Sequence, residues 1–356
     1  MGNLFHASLE AAQHGDKDLD RLAEFTKAAG GLGVQPSNFM LEGEDGFLSA
    51  TEILGTLEKH GMRLDGVSAH CPFWVHGTAH TGTKSIRNFI PSHVARMSIP
   101  EIVQWEEDYI LRLLDLCKEL GVGAIAMFWG QYLGSELASG YPWGMWSYKP
   151  KPKEDQDLAY DLVAEGLDNF VSSTRKIRAH AISLGTVMAH EIHGGTAAQC
   201  ADDFQMLIDA CDGDPTLGVN ADGSHCWDGE DFRTRFERLH DRVVMNHVKD
   251  HHVLRGRSRR SMKADWADRG MRFTMLGRGD LDLYDYVALL MEVGYPERYR
   301  ALFGLSEDDS VPLVSEAEDN VPTLDFAASS GVRWIAGNLC FPAATVSFED
   351  LMGTQE

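Results

Sequence analysis

The chain has 356 residues, of which 44% are hydrophobic and 24% charged, a composition typical of a globular protein. Asp and Glu number 54 against 32 Lys and Arg, so the formal net charge of −22 argues against binding to nucleic acid or to anionic lipid surfaces. No run of about 18 apolar residues is available to span a membrane, and the N-terminus lacks the pattern of a secretion signal. We therefore expect a cytoplasmic protein without a membrane partner.

Short apolar runs rich in β-branched residues alternate along the chain with segments of helical periodicity, which predicts parallel βα units. Strands are predicted at residues 32–40, 66–70, 124–129, 186–191, 217–222, 243–248 and 312–316, and more weakly at 4–9. Helices are predicted at residues 16–29, 99–120, 156–183, 197–210, 232–243, 284–293 and 324–339.

Eight strands alternating with helices predict an α/β fold, a single (β/α)8 TIM barrel over residues 1–356. A doubly wound sheet is the alternative, but polar residues collect at the C-terminal ends of the strands, where barrels carry their chemistry. Residues 71–100 and 251–280 would be enlarged βα loops on that face, and residues 324–356 a final helix and tail. The six cysteines form no CxxC pair, which favours reduced, mostly buried thiols.

Four strand ends carry metal-ligand side chains: VMAHE ends in Glu191, GVNAD in Asp222, VVMNH in His247 and PLVSE in Glu316. Three carboxylates and one imidazole at a barrel mouth concentrate negative charge that a buried site cannot hold without a cation. Mostly oxygen ligands with one nitrogen favour Mn²⁺, Mg²⁺ or Co²⁺ over structural zinc. We therefore expect one divalent metal ion, Mn²⁺ first among the three, bound by these four residues.

Five segments together carry a family resemblance: AHEIHGG at 189–195, DGSH at 222–225, HVKD at 247–250, GRGDLD at 277–282 and EAED at 316–319. With them the chain resembles the sugar isomerase/epimerase family of xylose-isomerase-like TIM barrels over roughly residues 60–340. The resemblance implies the same four metal ligands, and it implies that His225 faces the substrate.

Two glutamates among the ligands suit proton transfer next to a carbonyl, because a carboxylate can remove and return a proton beside a polarised ketone. We expect Glu191 and Glu316 to be this acid/base pair, in an isomerase or epimerase acting on a keto sugar. Ala197 stands where ketose 3-epimerases usually have an acidic substrate contact, and residues 68–80 are rich in histidine. The alternative is a lyase or hydratase acting on a 3-keto sugar or 3-keto glycoside, with a catalytic histidine, His70 or else His225, as the proton donor.

Substrate contacts are predicted from position. His193 and Lys249 each lie two residues beyond a proposed ligand, so in an extended segment they share its face. Trp129, at a predicted strand end, is expected to stack on an apolar sugar face. His76 and His80 are weaker candidates.

The basic run at residues 254–260, LRGRSRR, fits a solvated loop or a subunit contact better than a phosphate site, because no glycine-rich phosphate cradle accompanies it. We expect an uncharged sugar substrate and a homo-oligomer. A metal-dependent endonuclease would need more ligands and a basic groove. A sugar-binding module without catalysis would not need two carboxylates on one cation.

Overall fold

In the computed structural model the described residues are 3–10, 18–44, 46–132, 161–227, 229–257, 267–319 and 321–342. Their strands are β1 Phe5–Glu10, β2 Gly33–Gln35, β3 Glu42–Gly43, β4 Gly46–Phe47, β5 Arg63–Leu64, β6 Val67–Ser68, β7 Ala124–Met127, β8 Val187–Glu191, β9 Leu217–Asp222, β10 Val243–His247, β11 Asp250–Val253, β12 Met271–Thr274 and β13 Val311–Ser315. Their helices are α1 Leu19–Ala28, α2 Ala50–His60, α3 His70–Ala79, α4 Ile99–Glu119, α5 Leu162–Leu184, α6 Ala201–Ala210, α7 Phe232–Arg238, α8 Leu283–Glu292, α9 Tyr295–Phe303 and α10 Leu324–Asn338.

Two parallel sheets form the barrel wall, in the orders β13-β1-β2-β5 and β10-β9-β8-β7-β6. Single parallel bridges join them at both edges, between Val248 and Ser315 and between Ser37 and Ser68. Because β5 and β6 occupy one position in the wall, the strands fill eight positions, and the α/β barrel prediction is confirmed.

The break between β5 and β6 is located at Gly66, whose φ is 145°. This φ favours glycine, and a Cβ at this position would also lie 2.6 Å from the Met245 Cε, so the end of that side chain would have to move. The wall strands are buried along their whole length in β1, β9, β10 and β13, as expected for parallel strands covered by helices on one face and by core on the other.

Local signals explain where the helices begin and end. A capping box between Ser49 and Glu52 starts α2, and Gly61, in a left-handed conformation with φ 64°, ends it. Ser98 and Glu101 form the same box at the start of α4, whose buried face includes Ile110. No helix in the described part of the chain is long and apolar enough to cross a bilayer.

The structure differs from the sequence predictions mainly in the first third of the chain. The strand predicted at 32–40 is only Gly33–Gln35, since Pro36 cannot continue the backbone ladder, and the strand predicted at 66–70 ends at Ser68. The region 71–100 is largely helical, with α3 and short 3-10 turns. Helices α2, α3 and α9 were not predicted.

Elsewhere the differences are smaller. The helix predicted at 232–243 ends at Arg238 and continues as a separate 3-10 turn, His240–Arg242. Within the region 251–280 the strands β11 and β12 form an antiparallel hairpin. Residues 11–17, 156–160 and 258–266, which include parts of two predicted helices and of the basic run, lie outside the described residues.

Candidate metal centre and substrate pocket

The four predicted metal ligands meet at the C-terminal end of the barrel. Glu191, Asp222 and His247 are the last residues of β8, β9 and β10, and Glu316 directly follows β13. One ligand atom from each lies within 4.8 Å of every other, and none of the four residues is more than 7% exposed. The register of neighbouring parallel strands produces this convergence, because their C-terminal ends lie at the same edge of the sheet.

His247 presents its Nδ1 to the two glutamates. This atom lies 2.9 Å from the Glu191 Oε2 and 3.1 Å from the Glu316 Oε2. The other ring nitrogen, Nε2, lies 2.8 Å from the Gln35 side-chain nitrogen. Asn220 donates a hydrogen bond of 2.8 Å to the Glu191 Oε2. Outer contacts of this kind fix the ring and carboxylate orientations that a metal site requires.

Two basic side chains balance the carboxylates. Lys249 places its Nζ 2.9 Å from Glu316, 3.2 Å from Asp222 and 3.0 Å from Glu318. His225 places its Nε2 3.1 Å from Glu191 and 3.3 Å from Asp222.

These contacts control the protonation of the pocket. Burial and Lys249 lower the pKa of His225, but attraction to Asp222 and Glu191 outweighs them and raises it to about 9. Burial raises the pKa of Glu316, but Lys249 and His247 hold it well below its usual range. The pKa shifts therefore keep the carboxylates of the proposed metal ligands ionised beside cationic hydrogen-bond donors.

The donor set fits a divalent cation. Three buried carboxylates and one imidazole nitrogen provide the oxygen-rich coordination that Mn²⁺, Mg²⁺ and Co²⁺ accept. The Asp222 Oδ2 is buried and lies 3.2 Å from the Lys249 Nζ and 3.3 Å from the His225 Nε2, but it makes no hydrogen bond within the described residues. A buried acceptor of this kind is what a coordinated ion would satisfy.

A cavity of about 160 Å³ opens onto the ligands. Four of the predicted site residues line it together with two of the ligands: His70, His193, His225 and Lys249 with Glu191 and Glu316. Phe128 and Glu318 complete the lining. The Phe128 ring packs against both His70, at 4.3 Å between centroids, and His193, at 5.0 Å.

His70 occupies a different element from the one predicted. It is the first residue of α3 instead of the last residue of a strand, because the strand ends at Ser68. Its Nε2 lies 3.7 Å from the Glu191 Oε2 and makes no hydrogen bond within the described residues. The side chain still reaches the cavity.

Trp129 does not reach the cavity. Its side chain is 1% exposed and packs edge-on against Phe73, at 5.4 Å between centroids, and Phe170, at 5.5 Å. The neighbouring Phe128 lines the cavity instead. His76 is also placed elsewhere, buried in α3, where burial lowers its pKa to about 3.

Three residues of the site were not predicted. Gln35 is the last residue of β2, and a polar side chain at a strand end is the sequence signal that could have placed it in the site. Asn220 lies two residues before Asp222 on β9, and Glu318 two residues after Glu316, so the period of an extended chain places each on its neighbour's side.

The remaining acids of the motifs hold loops. Asp250, the last residue of HVKD, accepts hydrogen bonds from the backbone nitrogens of Gly277, Gly279 and Leu281. A Cβ on Gly279 would lie 2.0 Å from the Asp250 Oδ1, so GRGDLD needs glycine there. Asp319, the last residue of EAED, accepts from the Met275 backbone nitrogen at 2.9 Å. Both acids thereby fix the loops around the pocket.

Comparison with known proteins agrees with this architecture. The family model of the xylose isomerase-like TIM barrel matches residues 23–300, so the chain belongs to that family. No curated protein matches the sequence significantly.

Solved structures of the same fold include enzymes of more than one reaction type. L-ribulose 3-epimerase is similar with a TM-score of 0.59 and 12% identity, covering 94% of this chain and 93% of that chain. A protein described as a 3-DHS dehydratase of petrobactin synthesis from Bacillus anthracis has a TM-score of 0.57 and 14% identity, covering 94% and 100%. A xylose isomerase-like TIM barrel protein from Mycobacterium smegmatis in complex with magnesium has a TM-score of 0.54 and 14% identity, covering 93% and 95%.

Proposed function

We propose that this protein is a divalent-metal-dependent isomerase or epimerase that moves a proton next to the carbonyl of a keto sugar. One observation carries the proposal. The carboxylates of Glu191 and Glu316 both approach a single imidazole nitrogen, at 2.9 and 3.1 Å, and both line the same cavity. Two glutamates at one centre and one cavity are suited to removing a proton and returning it.

Glu191, Asp222, His247 through its Nδ1, and Glu316 would hold the ion. When bound, a divalent cation polarises a ketone oxygen and makes the adjacent C–H more acidic. We propose Mn²⁺ as the ion, with Mg²⁺ and Co²⁺ as alternatives.

The chain's own residues would carry the proton. One of the two glutamates takes the proton from the carbon beside the carbonyl and passes it to water. The other, after taking a proton from water, delivers it to that carbon or to its neighbour. Negative charge that develops on the substrate oxygens would lie near Lys249 and His225, which are cationic donors lining the cavity. The phenyl ring of Phe128 offers an apolar surface for the sugar.

A lyase or hydratase is a second candidate, because His70 supplies a further proton-transfer group. Its Nε2 is buried, has no hydrogen-bond partner within the described residues and lies 3.7 Å from the Glu191 Oε2. After Glu191 has removed the proton, an imidazole in this position can protonate an oxygen that leaves from the next carbon.

The test is proton exchange in D₂O. The metal-loaded protein is incubated with a set of 2-keto and 3-keto sugars, and NMR follows deuterium incorporation and product structure. We expect deuterium beside the carbonyl and an isomer or epimer as product. An unsaturated product would support the lyase instead. If no sugar shows exchange or elimination, both proposals fail, and a binding protein without catalysis would be left.

A further inference from the structure

A second cavity of about 460 Å³ adjoins the metal centre, with more than twice the volume of the first. His70 lines both cavities. One part of the second wall is aromatic, formed by Phe89, Trp105 and Tyr109, and another part is polar, formed by Asn38, Glu42 and Glu106. A molecule extending from the metal centre past His70 would enter this second space.

The aromatic part presents flat ring surfaces. Trp105 and Tyr109, on α4, are stacked with centroids 5.5 Å apart and an angle of 21° between their planes. Phe89 packs edge-on against Trp74 at 5.1 Å and keeps 52% of its surface exposed. Exposed and stacked rings around a cavity favour a planar apolar ligand, which gains contacts with their faces.

The polar part contains a buried carboxyl group. Glu106 is 2% exposed, and its Oε2 makes no hydrogen bond within the described residues. Neighbouring polar groups are paired, since the Tyr109 hydroxyl donates to the Glu42 Oε1 at 2.6 Å and accepts from Asn38 at 2.8 Å. Burial and the charge of Glu42 raise the pKa of Glu106 to about 9. A protonated carboxyl in the cavity wall can donate a hydrogen bond to a ligand oxygen.

We propose that the second cavity binds an aromatic group, joined to the keto sugar through an oxygen, while the sugar ring occupies the cavity at the metal centre. The inference rests on the proposed function for the sugar ring and extends it to the substrate class, an aryl-substituted keto sugar. The rings of Phe89 and Trp105 contact the aromatic group, and Glu106 donates to the oxygen that joins this group to the sugar.

Binding is tested with phenyl glucoside, which has no keto group and therefore reports on the cavity independently of catalysis. Saturation-transfer NMR on the metal-loaded protein should show transfer to the phenyl protons. Phe89→Ala should weaken binding about three- to tenfold through the lost ring contact. Glu106→Leu should weaken it about five- to tenfold through the lost hydrogen bond, and Glu106→Gln, which keeps a donor, should weaken it less.

The control is Phe326→Ala, a similarly exposed phenylalanine on α10, at 54% exposure, which should bind phenyl glucoside like the parent protein. Absence of transfer to the phenyl protons, or equal affinity in all variants, would overturn the proposal. Stronger binding of cellobiose than of phenyl glucoside would also overturn it in favour of a second sugar. Phenyl binding without deuterium exchange in any keto sugar would leave this inference standing and remove the proposed function.

Discussion

The side-chain nitrogen of Gln35 lies 2.8 Å from the Nε2 of His247, although the two residues belong to strands of different sheets. Gln35 ends β2 and His247 ends β10, so the contact crosses the barrel interior. As it stands, the Gln35 amide N–H donates to Nε2, which leaves the ring proton on Nδ1, facing Glu191 and Glu316. An ion on Nδ1 would need Nε2 to carry the proton instead, and the Gln35 Oε1, which makes no hydrogen bond within the described residues, would accept it once the amide is turned over. A residue that cannot reach the ion thus orients one of its proposed ligands.

Replacing Gln35 with leucine should therefore weaken metal binding without removing a ligand. We expect a 10- to 100-fold loss of affinity, the usual effect of losing such a support. Titration calorimetry with Mn²⁺ measures it. Asp222→Ala, which removes a proposed ligand, should lose more affinity for Mn²⁺ than Gln35→Leu. The control Gln205→Leu, at an exposed position of α6, should bind Mn²⁺ like the parent protein. Equal affinities for Gln35→Leu and the parent would contradict a supporting role.

Glu316→Gln should keep the fold and abolish most proton transfer, because the amide cannot accept the proton. The expected decrease in the exchange rate is roughly 10²- to 10⁴-fold, the typical contribution of one acid or base. Deuterium incorporation followed by NMR measures it at saturating metal, so that weaker metal binding is not mistaken for lost catalysis. Glu165→Gln, on an exposed part of α5, is the matched control. A rate within twofold of the parent would exclude Glu316 from the acid/base pair.

His70→Ala separates the two candidate reactions. In an isomerase or epimerase it should mainly raise KM, since His70 lines the cavity without a bond to Glu191. In a lyase, exchange beside the carbonyl should continue while release of the leaving group stops, because the proton donor is absent. Exchange and product release are measured in the same NMR sample. A parallel loss of both rates at saturating substrate would fit neither reading of His70.

Glu106 should make the stability of the protein depend on pH. Burial and the charge of Glu42 raise its pKa from an ordinary 4.5 to about 9, so the folded chain keeps a proton that the unfolded chain has released. The free energy of unfolding should then fall as pH rises from 4.5 to 9, by up to about 1.4 kcal/mol per pH unit for this group.

Glu106→Gln removes that dependence, because the amide does not titrate. Urea unfolding at pH 6, 7 and 8 should show the stability of the variant rising relative to the parent protein, and Glu165→Gln should follow the parent. Parallel pH profiles for Glu106→Gln and the parent would show that Glu106 is already ionised at neutral pH.

The positions of the ligands were predictable because short apolar runs that end in a polar residue, repeated at the spacing of βα units, indicate where each strand ends. His70 illustrates the limit of this approach. The apolar run before it resembles a continuing strand, but β6 ends at Ser68 and α3 begins at His70. Trp129 and Phe128 illustrate another limit, because both follow β7 and the Trp129 ring is the one buried, by packing against Phe73 and Phe170.

Contacts across the barrel could not be predicted from spacing. Gln35 and His247 are brought together by closure of the whole barrel wall. Local periodicity in the sequence does not predict which strands face each other across the barrel. The same holds for Glu106. Its burial away from hydrogen-bond donors depends on how α4 packs against the loops that line the second cavity.

The division of the wall into two sheets gives the proposed ion a mechanical role. Glu191, Asp222 and His247 end strands of one sheet, whereas Glu316 follows β13 in the other. Where these two sheets meet, between β10 and β13, the described backbone forms one bridge, between Val248 and Ser315. An ion bound by all four side chains would link the two sheets. At a free-ion concentration a hundred times its dissociation constant, binding would stabilise the folded barrel by about 2.7 kcal/mol. Removing the ion with a chelator would then weaken the contact between β13 and β10 first. The ion would therefore support the closed barrel as well as the reaction.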